Sequence, residues 1–289
     1  MIRIEQVNSW HDFEAVVAAL RPAPVPHAEA PIAVPRMAFQ KHGELLFRGQ
    51  QNAAWDLKTT LERSSSVPFA CDSYQLIMRL VKDEIEVFTD RSWTWVDQSA
   101  LHHKLPDSVA ERFPAQVTSP AENFANFGFM AYLRHYGFPS PLLDWTRSHY
   151  IAAYFAASGH SPEPWAIYVF DERPRGFKVV SASGHAPEIT AVSQRDAFQR
   201  RHFLQQSTYT VCTAYDKNWC FVQHDSVLNR DKDDQDLLVK CVFPASMRPE
   251  IMRLLNKMNI NAYSLFGTEE ALLQALGNRH FSLQYTGKE

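Results

Sequence analysis

The chain has 289 residues, 45% of them hydrophobic and 21% charged, which is ordinary globular composition with enough apolar material for a sizeable core. A formal net charge of −3 argues against a surface wholly devoted to nucleic acid or membrane, while leaving room for a local basic groove. No apolar run approaches the roughly 18 residues that a bilayer-spanning helix needs, the N-terminus lacks a signal pattern, and the four cysteines, Cys71, Cys212, Cys220 and Cys241, include no C-x-x-C pair. A cytoplasmic chain with reduced, largely buried thiols and no metal is expected.

Ser9 is placed to cap a first helix, with Asp12 as the capping-box acid and Phe13, Val16, Val17 and Leu20 at helical spacing. Five prolines between Pro22 and Pro35 then forbid a helix or a central strand. Residues 1–39 therefore read as an N-terminal helix and proline-rich connector, and residues 40–289 as one domain. Glu44 to Phe47 reads as a short strand running into Arg48-Gly49. A long amphipathic helix follows, capped by Asp72 or Ser73, with Ile77, Leu80, Val81, Ile85 and Phe88 as its buried face. Residues 91–117 give no periodic signal. Ser119-Pro120-Ala121-Glu122 is a capping box with proline at the first helical position, predicting a helix through Phe124, Phe127, Met130 and Leu133 that stops at Gly137.

The run from Phe138 to Thr146 reads as a loop, a helix starts near Ser148, and Trp165 to Phe170 is a strand. Residues 173–194 are rich in turn formers. Beyond them the pattern predicts a helix over Asp196 to Leu204, a strand over Tyr209 to Ala214, a solvated turn over 229–236 and a strand over Leu237 to Phe243. A helix capped by Ser246, with Ile251, Leu254, Leu255 and Met258 inward, precedes a short strand from Ala262 to Leu265 and a last helix from Thr268 to Leu276. Helices and strands do not alternate regularly, which predicts an α+β fold: a mixed β-sheet core with surrounding helices.

Arg48 carries a planar fork suited to phosphate or carboxylate; Gly49 would let a ligand approach the backbone, and Gln50 and Gln51 add amides. The plain alternative is a strand-end turn. Prolines stiffen the loop on both sides of Ser140. Leu142, Leu143 and Trp145 should turn inward, leaving Asp144 partly desolvated and in need of a partner. Arg48 is one candidate; the amides of the next helix are another, with Asp144 or Thr146 as its cap. A helix N-terminus beside Arg48 would make an anion pocket. His135 lies near a helix C-terminus, whose dipole favours imidazolium, so it is a candidate phosphate contact or acid, or else a packing residue. Arg201 to Tyr209 brings a cation, two amides (Gln205 and Gln206) and hydroxyls to a strand, or is a polar connector. The twelve histidines show no H-E-x-x-H spacing, and there is no G-x-S-x-G, Walker or G-x-G-x-x-G pattern.

Phe47-Arg48-Gly49 resembles the (F/Y)RG signature of the FRG domain. The run from His135 to Thr146, continued by Ala153-Tyr154-Phe155-Ala156, is similar to that family's H-x-G-x-P-T-x-L-L-D-W-T … A-x-x-F-A core, with Ser140 in place of threonine. Arg201 to Tyr209 is similar to its R-x-x-x-Q-x-G-x-F segment, with Ser207 for glycine and Tyr209 for phenylalanine, and residues 259–276 resemble its closing strand and helix. The resemblance implies a bacterial or phage protein in a setting of defence or toxicity, with motifs ordered as in ADP-ribosyltransferases, an analogy at the level of fold. It implies NAD as ligand, Arg48, Gln50, Ser140 and Thr146 as its binding residues, Asp144, Gln205 and His135 as catalytic residues, and a macromolecular target or neutralising partner protein. A late glutamine where such enzymes carry glutamate removes a charge that Asp144 would have to supply. Three functions stay open: an NAD-dependent transferase or glycohydrolase, a nuclease or phosphodiesterase, and a non-catalytic nucleotide- or protein-binding module.

Overall fold

The computed structural model describes residues 2–20, 45–96, 126–172, 186–192, 200–228 and 236–282. Strands β1 (Ile2–Gln6), β2 (Leu46–Gln50), β3 (Phe69–Ala70), β4 (Leu143–Thr146), β5 (Trp165–Asp171), β6 (Glu188–Val192), β7 (Ser207–Asp216), β8 (Asn218–Phe221) and β9 (Leu237–Phe243) form one sheet. Its order is β1-β9-β5-β2-β4-β7-β8-β3, with β6 also against β7. β1 runs parallel to β9 and the other pairs are antiparallel, so the sheet is mixed and the fold α+β, as the sequence predicts. The helices are α1 (Trp10–Leu20), α2 (Thr60–Ser64), α3 (Cys71–Thr89), α4 (Phe127–His135), α5 (His149–Ala157), α6 (Arg200–Leu204), α7 (Asp225–Leu228), α8 (Arg248–Lys257), α9 (Ala262–Phe266) and α10 (Glu269–Gly277). None of them is long and apolar enough to cross a membrane.

Local chemistry explains the elements that flank the site. Ser9 Oγ accepts from the Asp12 N–H at 3.1 Å, and α1 buries Phe13 and Val17. Helix α4 ends where Gly137 takes φ 87°. There the Gly137 and Phe138 amides donate back to the carbonyls of Arg134 (3.3 Å) and Leu133 (3.0 Å), closing the helix through a left-handed residue. Ser148 caps α5 by accepting from the Ile151 N–H, so neither Asp144 nor Thr146 is that cap.

Several expectations are overturned. Leu143–Thr146 is a strand inside the sheet rather than a loop. Ala262–Phe266 is a helix rather than a strand, nucleated by reciprocal hydrogen bonds between Asn261 and Ser264. Helix α3 buries Cys71, Tyr74 and Met78, with no side-chain cap, while Ile77, Leu80 and Phe88 are exposed. Met247, without a side-chain cap, stands where Ser246 was expected to start α8, and Met258 is exposed. Strands β1, β3, β6 and β8 and helices α2 and α7 had no sequence signal. The proline-rich connector, the Ser119–Glu122 capping box, residues 229–235 and the start of the Asp196 helix lie outside the described residues. The four cysteines are free; Cys220 is half-buried and the others buried.

Two contacts fix the strand that carries Arg48. A Cβ at Gly49 would lie 2.0 Å from the Ala152 carbonyl oxygen and 2.7 Å from the Ala156 nitrogen. The glycine therefore makes room for the backbone of α5. Gly49→Ala is expected to lower stability by about 1–3 kcal/mol or more through forced overpacking, as measured by urea unfolding. Buried Arg248, the first residue of α8, donates through Nη1 to the carbonyls of Ala156 (2.7 Å) and Gly159 (3.4 Å). Its Nη2 donates to those of Gln51 (2.5 Å) and Glu163 (3.1 Å), tying the end of α5 to the chain just past β2.

Candidate functional site

The seam between β2 and β4 is short. β2 pairs with β5 from Leu46 to Gln50, and β4 pairs with β7 from Leu143 to Thr146, but β2 and β4 share the single pair Phe47–Thr146. Beyond it lies a cleft of about 370 Å³, lined from β2 by Arg48 and Gln50, from β4 by Asp144 and Thr146, and from β7 by Ser207 and Tyr209. Arg63, Arg134, Arg201, His135, Gln205, Trp55 and Phe155 also line it. Four guanidinium groups thus face one carboxylate among the described lining residues.

Arg48 and Asp144, 96 residues apart in the chain, meet here. Arg48 Nη1 donates to the Asp144 backbone carbonyl at 2.8 Å and stands 3.9 Å from its carboxylate. The closer ionic partner is Arg134, whose Nη2 lies 2.6 Å from Asp144 Oδ2. Sequence reasoning missed Arg134; the available signal was a basic residue in the last turn of α4, beside His135. It missed Arg63 and Trp55 as well. Burial lowers the Arg48 pKa, opposed by the charge of Asp144, yet a guanidinium stays charged near neutrality. Several buried polar atoms of the cleft have no hydrogen-bond partner among the described residues: Arg48 Nε, Gln50 Oε1, Arg134 Nε, Asp144 Oδ1 and Arg201 Nε. Each buried polar group left without a partner calls for an explanation, such as a functional role or a bound water or ion.

The other expected residues divide. Gln50 is buried and donates to the Asp56 carbonyl at 3.3 Å, leaving its Oε1 unused. The Thr146 hydroxyl donates to the Gln205 carbonyl (2.8 Å) and accepts from the Ser148 N–H (3.1 Å), while the Gln205 amide donates to the Leu265 carbonyl (3.2 Å). Ser140 is the correction. It is fully buried and does not line the cleft; its N–H donates to Thr60 Oγ1 and its hydroxyl accepts from the Leu142 N–H.

Burial works against the imidazolium that the helix position of His135 suggested. The His135 ring lies tilted against that of His202, with centroids 4.2 Å apart, and the Tyr209 hydroxyl lies 3.2 Å from His135 Nε2 and 2.7 Å from His202 Nε2. Burial, helped by His202 and nearby arginines, lowers His135 to about 4. Burial lowers His202 to about 4, and burial with Arg48 lowers His224 to about 3. Desolvation outweighs the helix dipole here. The sign of the stability effect follows. Above the unfolded value of ~6.5 both states are neutral, and below it the unfolded chain takes up protons that the folded chain refuses. Stability should therefore fall as pH drops from ~6.5 through the lowered values. Calorimetry across that window should read a decline in Tm that His202→Gln makes shallower.

The family model described as FRG domain matches residues 43–164, a span holding Arg48, Gln50, Arg63, Arg134, His135, Asp144 and Thr146 but not Arg201, Gln205 or Tyr209. No curated protein and no solved structure matches the chain.

Proposed function

This chain is an FRG-domain protein, and we propose that its cleft takes NAD and breaks the bond between nicotinamide and ribose, passing ADP-ribose to a macromolecule or to water in bacterial defence or toxicity. The observation that carries this reading is the set of four arginines around one aspartate in a single cleft beside aromatic rings. Planar guanidinium forks match phosphate oxygens, and a pyrophosphate would balance the excess of positive charge. Trp55 and Phe155 offer ring faces for flat heterocycles. Gln50 Oε1 and Asp144 Oδ1, without a partner among the described residues, are acceptors of the kind that ribose hydroxyls satisfy. A volume of about 370 Å³ suits a small-molecule site.

In the reaction the glycosidic C–N bond breaks with its electron pair going to the nicotinamide nitrogen, which loses its positive charge. The anomeric carbon gains a bond to the acceptor's lone pair, and the acceptor's proton passes to a neutral base. Asp144 opposes the positive charge that develops on the ribose, and His135, uncharged near neutral pH, is available as that base. Nicotinamide release from NAD, followed by chromatography, tests the reading. Arg48→Ala is expected to weaken NAD binding about 10- to 100-fold through loss of charge-assisted bonds. Absence of both release and calorimetric NAD binding would reject it.

One observation favours a binding module without turnover. Asp144 Oδ2 is held by Arg134 at 2.6 Å and the Gln205 amide by the Leu265 carbonyl, as suits a fixed receptor. In that case ADP-ribose raises Tm but NAD stays intact. Burial lowers the pKa of His135, which weakens the case for a phosphodiesterase that uses it as the acid.

A further inference from the structure

A second groove, of about 540 Å³, adjoins the cleft and shares Arg201 and His135 with it as a common wall. Arg91 and Arg200 stand exposed along it. Tyr136, 70% exposed, offers a ring to solvent there. Glu270 is the only acid among its described lining residues. That carboxylate is already engaged by its own backbone amide and the Thr268 hydroxyl at the start of α10, which lowers its pKa. The Arg201 guanidinium lies over the Phe266 ring, 4.5 Å from its centroid, with Nε buried and lacking a partner among the described residues. On a chain of net charge −3 this is a local cationic track, and it ends at the imidazole that faces the cleft.

We propose that this groove binds single-stranded nucleic acid and that the strand is the acceptor of the ADP-ribose, an inference that rests on the NAD reading above. Guanidinium groups in a row follow a phosphodiester backbone, and an exposed aromatic ring stacks an unpaired base. An acidic peptide would satisfy the charge but leave the Tyr136 face unused, and a duplex keeps its bases out of reach. A strand seated here brings a base or sugar nucleophile to the shared wall. Its lone pair bonds to the anomeric carbon as nicotinamide leaves with the glycosidic electron pair, and its proton passes to the imidazole of His135.

The test uses the full chain and fluorescently labelled oligothymidine and oligouridine of about 12 nucleotides, within the range of single-strand site sizes. Without NAD, anisotropy should show binding that weakens steeply with salt. Arg91→Gln with Arg200→Gln, both at exposed positions, should reduce affinity on the order of tenfold and cut the salt slope by roughly 1.4, about 0.7 per lost phosphate contact. With NAD, mass spectrometry should find ADP-ribose added to the strand. Absence of strand binding, unchanged affinity in the double variant, equal displacement by polyglutamate, or nicotinamide release with an unmodified strand each overturns the inference. Failure of the NAD reading would show separately, as no nicotinamide release and no NAD binding whether or not a strand binds.

Discussion

Asp144→Asn is expected to lower nicotinamide release by about 10²–10³-fold while NAD affinity holds or rises. The two effects have opposite electrostatic signs. Asparagine keeps the shape and both heteroatoms, so Arg134 and Arg48 retain a neighbour, but the only carboxylate among the described cleft residues is gone. Four arginines without that counter-charge attract a pyrophosphate more strongly. The ribose, which becomes cationic only as the glycosidic bond breaks, loses the one group that favours it, and loss of a preorganised electrostatic contact is worth roughly two to three orders of magnitude in rate. Steady-state kinetics with calorimetry on the same variant separates the outcomes. A fall in rate with tighter binding supports turnover in this cleft. Tighter binding by a chain that releases no nicotinamide in either form points to a receptor. Weaker binding would show that Asp144 holds the ligand rather than its transition state.

Arg248→Met is expected to destabilise the fold by about 3–5 kcal/mol, because several buried acceptors lose their donor at roughly 1–3 kcal/mol each. Four carbonyls, those of Gln51, Ala156, Gly159 and Glu163, would lose their charged donor together. The stem of methionine fills part of the volume, which leaves unsatisfied acceptors as the main loss. At roughly 2–4 °C per kcal/mol for a domain of this size, Tm should fall by about 10 °C. Because Gln51 lines the cleft and lies just past β2, ADP-ribose should recover part of the lost Tm if the cleft binds it. Arg248→Lys should do little better than methionine, since one ammonium cannot reach four carbonyls spread around a planar fork.

Much of the site was legible from residue types. Arg48 and Asp144 stood out because each is a charged group set among residues that must be buried: Phe47 beside one, Leu142, Leu143 and Trp145 around the other. Arg134 stayed hidden because a cation in the last turn of a helix already has a sufficient explanation in the dipole. His135 misled for the same reason, since neither the dipole nor the sequence reveals how deeply the ring is buried beneath His202 and Tyr209. Strand β4 escaped because Pro139, Pro141 and Asp144 interrupt any alternation. Its four residues are instead held by β7, which is distant in sequence. Helix α9 was misread because five residues are too few to display a helical period. The local clue was the Asn261–Ser264 pair. Helix α3 carries more than one apolar stripe, and the packing of Tyr74 and Met78 against Leu61, Met130 and Phe221 settled which of them turned inward.

The single pair between Phe47 and Thr146 divides the sheet into two plates, one holding β1, β9, β5 and β2 and the other β4, β7, β6, β8 and β3. Arg48 and Gln50 stand on the first plate; Asp144, Ser207 and Tyr209 stand on the second. A molecule gripped from both sides therefore acts as mortar, completing across the gap a wall that the backbone itself stitches at one point.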